Sequence, residues 1–331
     1  MSSNQPVQAD PSRILEIATG YMASQQLFAA SRIGLFKAVA NGANRPQDIA
    51  AETGVSERMA RTLGDAMASL DLLTRKDGKY GLTEAAAAFL VGDEADLDLA
   101  PFLTFLREIS YPHWLQFSKT VDTDEPGDLG MNDERWGTFM AGVMTYNKLH
   151  ADMFSNALDF AGHKNALDLG GLAPNFAIRA MQANKDLNTT FAYAPDFVEG
   201  IKTAIADEGV ADRSTVIGVP TPEAKPEGEF DLVFVNHVIH RFSVDENKQI
   251  FANARAVASK GAKLTVLDFY LDDNEKQRAI DAQHASEYHV IDGTVVFPES
   301  EVCAWLNDTG WKPVEMVALP GSPRVLVAEA V

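Results

Sequence analysis

"ALDLGGLAPNFA", residues 166–177, decides how the rest of the chain is read. A short apolar run ends on Asp168 and Leu169, two glycines follow, and a helical pattern opens near Phe176. Strand, glycine turn and helix in that order form the first unit of a ligand-binding α/β sheet. Glycine serves such a turn because the backbone must pass close to the ligand and can need positive φ. Leu172 and Pro174 stand where loops of this kind carry further glycine. Leucine adds bulk there, and proline removes an N–H donor while remaining able to open a helix.

Outward from this stretch the pattern repeats. Strands are predicted at "NALDL" (165–169), "TTFAYA" (189–194), "STVIGV" (214–219), "FDLVFV" (230–235) and "AKLTVLDFYL" (262–271), with helices between, including 245–259. After a helix at 299–310, "KPVEMVAL" (312–319) and "RVLVAEA" (324–330) can pair antiparallel around Pro320-Gly321. Repeated strand–helix units imply a mostly parallel sheet with ligands at the carboxyl ends of its strands.

Before residue 163 the periodicity is helical. A disordered tail is expected over 1–12, then Ala-rich helical sequence over Ile14–Val39. "RPQDIAAETG" and "SERMARTLGDAMASLDLL" read as two short helices, Asp77-Gly78 as a hairpin turn, and the segment after Thr83 as another helix. Three helices and a hairpin make a winged-helix pattern, placed at 13–105. Connecting helices fill 106–162, with a turn-rich break at 121–135. The α/β domain takes 163–331. The last connecting helix carries Phe139, Met140, Met144 and Asn147, residues suited to an adaptable wall for a flat ligand.

Composition narrows the function. A net charge of −19 over 331 residues argues against nucleic acid or an anionic membrane as partner. In the second of the two short helices Arg58 and Arg61 are offset by Glu57, Asp65 and Asp71, which disfavours a DNA-binding regulator. Cys303 is the only cysteine, so no internal disulfide or multi-thiolate metal site can form. The polar start lacks the pattern of a signal peptide, and no apolar run approaches the length of a membrane span, so a cytoplasmic protein is expected.

Taken together, "LFAASRIGLFKAV", "ALDLGG", "HVIHRFSVDENKQIFANARAV" and "ESEVCAWLNDTGWKPVEMVALPG" resemble the small-molecule O-methyltransferases that use S-adenosylmethionine. The resemblance covers nearly the whole chain. It implies a winged-helix dimerisation domain, a Rossmann-like class I methyltransferase domain with a seven-stranded sheet, and a homodimer acting on a small molecule. His240 matches the general base and Asp268 its acidic partner; a second acidic partner aligns with Val296. The cofactor positions fall on Asp168, Gly170, Gly171, Tyr193, Gly218, Val219 and Asn236.

Several of those positions depart from the family's chemistry. Tyr193 replaces the acid that holds the ribose hydroxyls, with Asp196 facing away. Val219 replaces an aspartate near the adenine, and Asn236 a lysine near the methionine end. Methyl transfer therefore stands beside a repurposed, cofactor-free acid–base enzyme and a non-catalytic dimer partner. Trp114, with His113 and Tyr111, is expected to close the substrate cavity from the N-terminal domain, with His237 and Tyr288 lining it and Glu287 and His289 at its flank. Histidines 237 and 240 are three apart, which does not form a diagnostic metal motif, and no metal is expected.

Overall fold

The helical sequence at 14–39 folds as three helices rather than one: α1 (Ser12–Thr19), α2 (Tyr21–Arg32) and α3 (Leu35–Ala40). Gly34, at φ +73°, turns the chain between α2 and α3. The computed structural model describes residues 9–331. Ser12 already belongs to α1, so the expected tail ends sooner than residue 12, and its first eight residues lie outside those described.

Next come α4 (Pro46–Thr53) and α5 (Glu57–Ser69), then β1 (Leu73–Lys76) and β2 (Lys79–Leu82). The hairpin turns at Asp77 and Gly78, both at positive φ, as a two-residue turn requires. Thr83 accepts the Ala86 N–H and opens α6 (Glu84–Phe89), completing the winged helix. Its core holds Phe36, Ile49, Met67 and Tyr80. The Tyr80 hydroxyl donates to Asp65, and Arg61 and Arg75 also pair with that carboxylate.

Further helices are α7 (Ala100–Phe105), α8 (Tyr111–Trp114), α9 (Phe117–Thr123) and the long α10 (Asp133–Ala157). The chain divides into two compact units, one of Met1–Ile109 with Asp133–Thr145, the other of Ser110–Asn132 with Tyr146–Val331. This division corrects one expectation. Tyr111, His113 and Trp114 belong to the second unit, because the Trp114 indole donates to Glu287 there.

The second unit alternates strand and helix: β3 (Asn165–Asp168), α11 (Asn175–Ala183), β4 (Asn188–Tyr193), α12 (Val198–Asp207), β5 (Ser214–Gly218), β6 (Phe230–Phe234), α13 (Val244–Val257) and β7 (Ala258–Asp268). It ends with α14 (Ala279–Asp292), α15 (Glu299–Asp308), β8 (Trp311–Ala318) and β9 (Arg324–Ala330). The seven-stranded sheet has the order β5-β4-β3-β6-β7-β9-β8 and is parallel except for β9. β7 starts and stops earlier than its apolar run suggests: Phe269–Leu271 lie past its end, and Ala258 joins it. Core packs both faces, with Trp311 sealed and its indole donating to the Phe251 carbonyl at 2.9 Å.

Strand order reverses between β3 and β6, and ligands of open α/β sheets bind outside the strand ends at such a point. The segments leaving β3 and β6 are Leu169–Pro174 and Val235–His240, so the topology brings the two most unusual stretches of sequence together.

Candidate active site

His240 lies in a single 3-10 turn, Ile239–Arg241, after β6. The turn is pinned from below: the Asn247 amide donates to the carbonyls of Ile239 at 2.9 Å and Phe242 at 3.0 Å. Ser243 and Glu246 form a reciprocal capping box that starts α13 just beyond it. His240 Nδ1 lies 2.8 Å from Asp268 Oδ2, at the end of β7, and Asp268 is fully buried. Asp268 Oδ1 accepts the Phe269 N–H at 2.9 Å. A carboxylate beside Nδ1 fixes the proton on that nitrogen and leaves the Nε2 lone pair free to take another. The Tyr288 ring sits 4.5 Å from the His240 ring, centroid to centroid.

His237 takes a left-handed backbone, φ +54°, which is uncommon for a residue with a side chain. Its N–H donates to the Leu267 carbonyl at 2.7 Å, and its Nε2 lies 2.9 Å from Nδ1 of His150 on α10. Burial pushes His237 down to about 4 and His150 well below the usual histidine range, so both rings are neutral at pH 7. His150 is a residue that sequence reading missed. It follows Asn147 by one helical turn, so extending that wall along the helix would have reached it.

The other expected substrate residues divide between the units. Tyr288 and Trp114 fall in the second, as does Asn147, which is buried. Burial raises the Glu287 carboxyl that Trp114 binds. Phe139, Met140 and Met144 belong to the first unit, where Phe139 packs edge-on against Phe105 at 5.5 Å and Trp136 at 5.4 Å. His289 faces Asp124 at 3.2 Å, and His284 stacks on Phe269 at 3.7 Å.

One nitrogen of His237, one of His240 and one oxygen of Asp268 come within 4.8 Å of one another, a grouping that two histidines and a carboxylate could share around a cation. The separation of His240 from Asp268 is that of a direct hydrogen bond.

Several of the positions expected to hold S-adenosylmethionine make contacts within the protein. Tyr193 is completely buried, its hydroxyl 2.9 Å from Asp168 Oδ2 and 3.0 Å from the Ala173 carbonyl oxygen. One hydroxyl proton serves one acceptor, and burial pushes Asp168 up to about 8. The Tyr193 hydroxyl points at both acceptors and ties the end of β4 to Asp168 and to the glycine loop. Gly170 and Gly171 have φ of +94° and +90°. A Cβ at Gly170 would meet Thr221 Oγ1 at 2.6 Å, and one at Gly171 the Asn236 carbonyl at 2.9 Å. The chain's own packing thus accounts for both glycines. Val219 packs on the core, Asn236 Oδ1 accepts from Leu267 N–H at 3.0 Å, and Asn236 Nδ2 is a buried donor without a partner among the described residues. Pro174 caps α11, as its sequence position allows, and Asp196 is exposed. At the Tyr193 position the side chain itself offers no carboxylate to ribose hydroxyls.

Residues 15–92 match the family model of the O-methyltransferase dimerisation domain. Over 338 residues the chain is 28% identical to 3-hydroxy-5-methyl-1-naphthoate 3-O-methyltransferase of Streptomyces sahachiroi, covering 98% of this chain and 97% of that one. It is 23% identical to the phenazine O-methyltransferase PhzM of Lysobacter antibioticus, over 83% of this chain and 84% of that protein. Among solved structures, the pyocyanin biosynthetic protein PhzM superposes with a TM-score of 0.86 at 16% identity, over 97% of this chain and 98% of that one. The calicheamicin methyltransferase CalO1, with S-adenosylhomocysteine bound, gives 0.84 at 18% identity, over 96% and 97%. At such identities the structures establish a shared fold.

Proposed function

This chain is a relative of the small-molecule O-methyltransferases, and from that premise we propose that it is an acid–base enzyme in which His240 deprotonates a planar, apolar, hydroxylated metabolite. The 2.8 Å contact between His240 Nδ1 and buried Asp268 carries the reading, because it turns Nδ1 to the carboxylate and leaves Nε2 facing away from it. Tyr288 against His240, with Phe269 and Trp114 in the same unit, supports a flat aromatic substrate. So do the naphthoate and phenazine names of the relatives. Asp268 orients the base and stabilises the imidazolium that forms. The reaction is one that base catalysis drives, such as tautomerisation of the hydroxylated ring. The dimerisation domain supports a homodimer as the working form.

Methyl transfer from S-adenosylmethionine is the second reading. It is favoured by whole-length likeness to the naphthoate O-methyltransferase and by the positive φ retained at Gly170 and Gly171. Calorimetry with S-adenosylhomocysteine separates the two: micromolar binding establishes the second, and no heat at millimolar ligand the first. The base is tested with 3-hydroxy-1-naphthoate at a pH below the naphthol's own pKa. Wild-type protein should raise the naphtholate absorbance of the bound probe and His240→Ala should not; equal signals from the two would refute the assignment.

A further inference from the structure

Behind the base stand two histidines, His150 fully buried and His237 partly so, and their pairing sets a tautomer. His150 Nδ1 and His237 Nε2 are 2.9 Å apart, so one donates and the other accepts. His150 is fully buried, and its Nε2 is sealed without a hydrogen-bond partner. If His237 donated, His150 would carry its proton on Nε2 as an orphaned buried N–H, an expensive arrangement that folded proteins avoid. If His150 donates from Nδ1, the orphan is only a lone pair. The second arrangement is the cheaper, and it forces the proton of His237 onto Nδ1. That nitrogen has no partner among the described residues and is not among the sealed atoms. The His237 ring meets the His240 ring edge-on with centroids 6.3 Å apart, so a donor and a base stand side by side at the strand ends.

We infer that His237 is an oxyanion donor: its Nδ1–H binds the oxygen from which His240 Nε2 removes a proton, and His150 is the positioning residue that holds His237 in this tautomer. The O–H bond of the substrate breaks, its proton passes to His240, and the electron pair stays on an oxygen that gains the His237 hydrogen bond. A neutral imidazole suits the task, since it donates without competing for the proton. Burial, which keeps His237 and His150 neutral, supports the same assignment.

This role rests on His240 being the base, so the decisive measurement is made first without ligand. Nitrogen-15 spectra of the histidine side chains at pH 7 should show His237 protonated at Nδ1 and not at Nε2, with that preference lost in His150→Phe. A proton found on His237 Nε2 overturns the inference whatever His240 does. The second measurement compares His237→Asn with His237→Gly, both of which tolerate a left-handed backbone, while only asparagine keeps an N–H donor. With 3-hydroxy-1-naphthoate bound, His237→Asn should hold the ionised fraction within about twofold of wild type. His237→Gly should lower it about tenfold, the worth of a hydrogen bond to a charged acceptor. Equal behaviour of the two variants refutes the donor role and leaves His240 untouched; loss of ionisation only in His240→Ala does the same.

Discussion

Tyr193 Oη lies 2.9 Å from Asp168 Oδ2 with both side chains buried, so the end of β4 is tied to the end of β3 by a phenol and a carboxyl. The family resemblance implies an acid at the Tyr193 position, reaching outward to a ribose. Here the side chain turns inward and spends its hydroxyl on the glycine loop through the Ala173 carbonyl.

That arrangement makes stability depend on pH in an unusual direction. Asp168 is raised to about 8 by burial, against an ordinary value near 3.8, so between those values the folded protein holds a proton that the unfolded chain has released. The contribution is full below pH ~4 and is lost as pH rises toward 8, at up to about 1.4 kcal/mol per unit. Thermal melts of wild type should fall across pH 5–8, and Asp168→Asn, which cannot ionise, should flatten that fall. A parallel decline in both proteins would show that Asp168 is ionised in the fold.

Asp268→Asn tests the orientation of the base. An asparagine can present its N–H to His240 Nδ1, which would push the histidine proton to Nε2 and occupy the lone pair. The yield of bound naphtholate should drop roughly 10²-fold or more, within the range of general-base effects, while the probe still binds. Nitrogen-15 shifts of His240 report the tautomer directly, and an unchanged Nδ1–H in the variant would contradict this account.

Arg324 holds the helix that carries Tyr288. At the start of β9 its guanidinium donates to Asp272 at 2.6 Å and to the Tyr270 carbonyl at 2.5 Å, and it lies 3.3 Å from buried Asp281 at the start of α14. Arg324→Leu leaves Asp281 with Arg278 alone and Asp272 without its cation. Breaking a buried ion pair from one side costs about 3–5 kcal/mol. Urea titration should show a loss of that size, and a loss under 1 kcal/mol would place the pairing among inconsequential surface contacts.

How much of this was legible in the sequence follows from what each pattern encodes. Alternation and turn residues fixed every strand from Asn165 to Ala330 to within a few positions, because a buried parallel sheet needs continuous apolar runs. His240 and Asp268 were singled out by the family resemblance, and the structure sets them 2.8 Å apart; that Asp268 ends its strand was hidden by the apolar run continuing to Leu271. The inward turn of Tyr193 was not legible: a tyrosine at a strand end can face either side, and only the packing of Asp168 decides it. The pairing of His150 with His237 spans 87 residues, a distance no local periodicity reports. Gly20 and Gly34 broke the first helical run where composition alone suggested continuity.

The N-terminal helices leave a run of large apolar side chains exposed. Ile14, Leu15 and Ile17 of α1 are 72%, 57% and 67% exposed, Tyr21 and Met22 follow at about half, and α1 buries none of its residues. A stripe of large apolar groups at helical spacing, left in water by its own chain, calls for a covering surface. All but Ile14 lie at the start of the segment that matches the dimerisation domain, so a second copy of this chain is the expected covering partner. Light scattering after size exclusion should give twice the mass of one chain, and Leu15→Glu combined with Ile17→Glu should shift the protein to monomer. α1 adds nothing to the buried core, so the variant should keep its melting temperature within a few degrees after allowing for lost association. A wild-type monomer, or a variant that remains dimeric, would move the partner surface away from this helix.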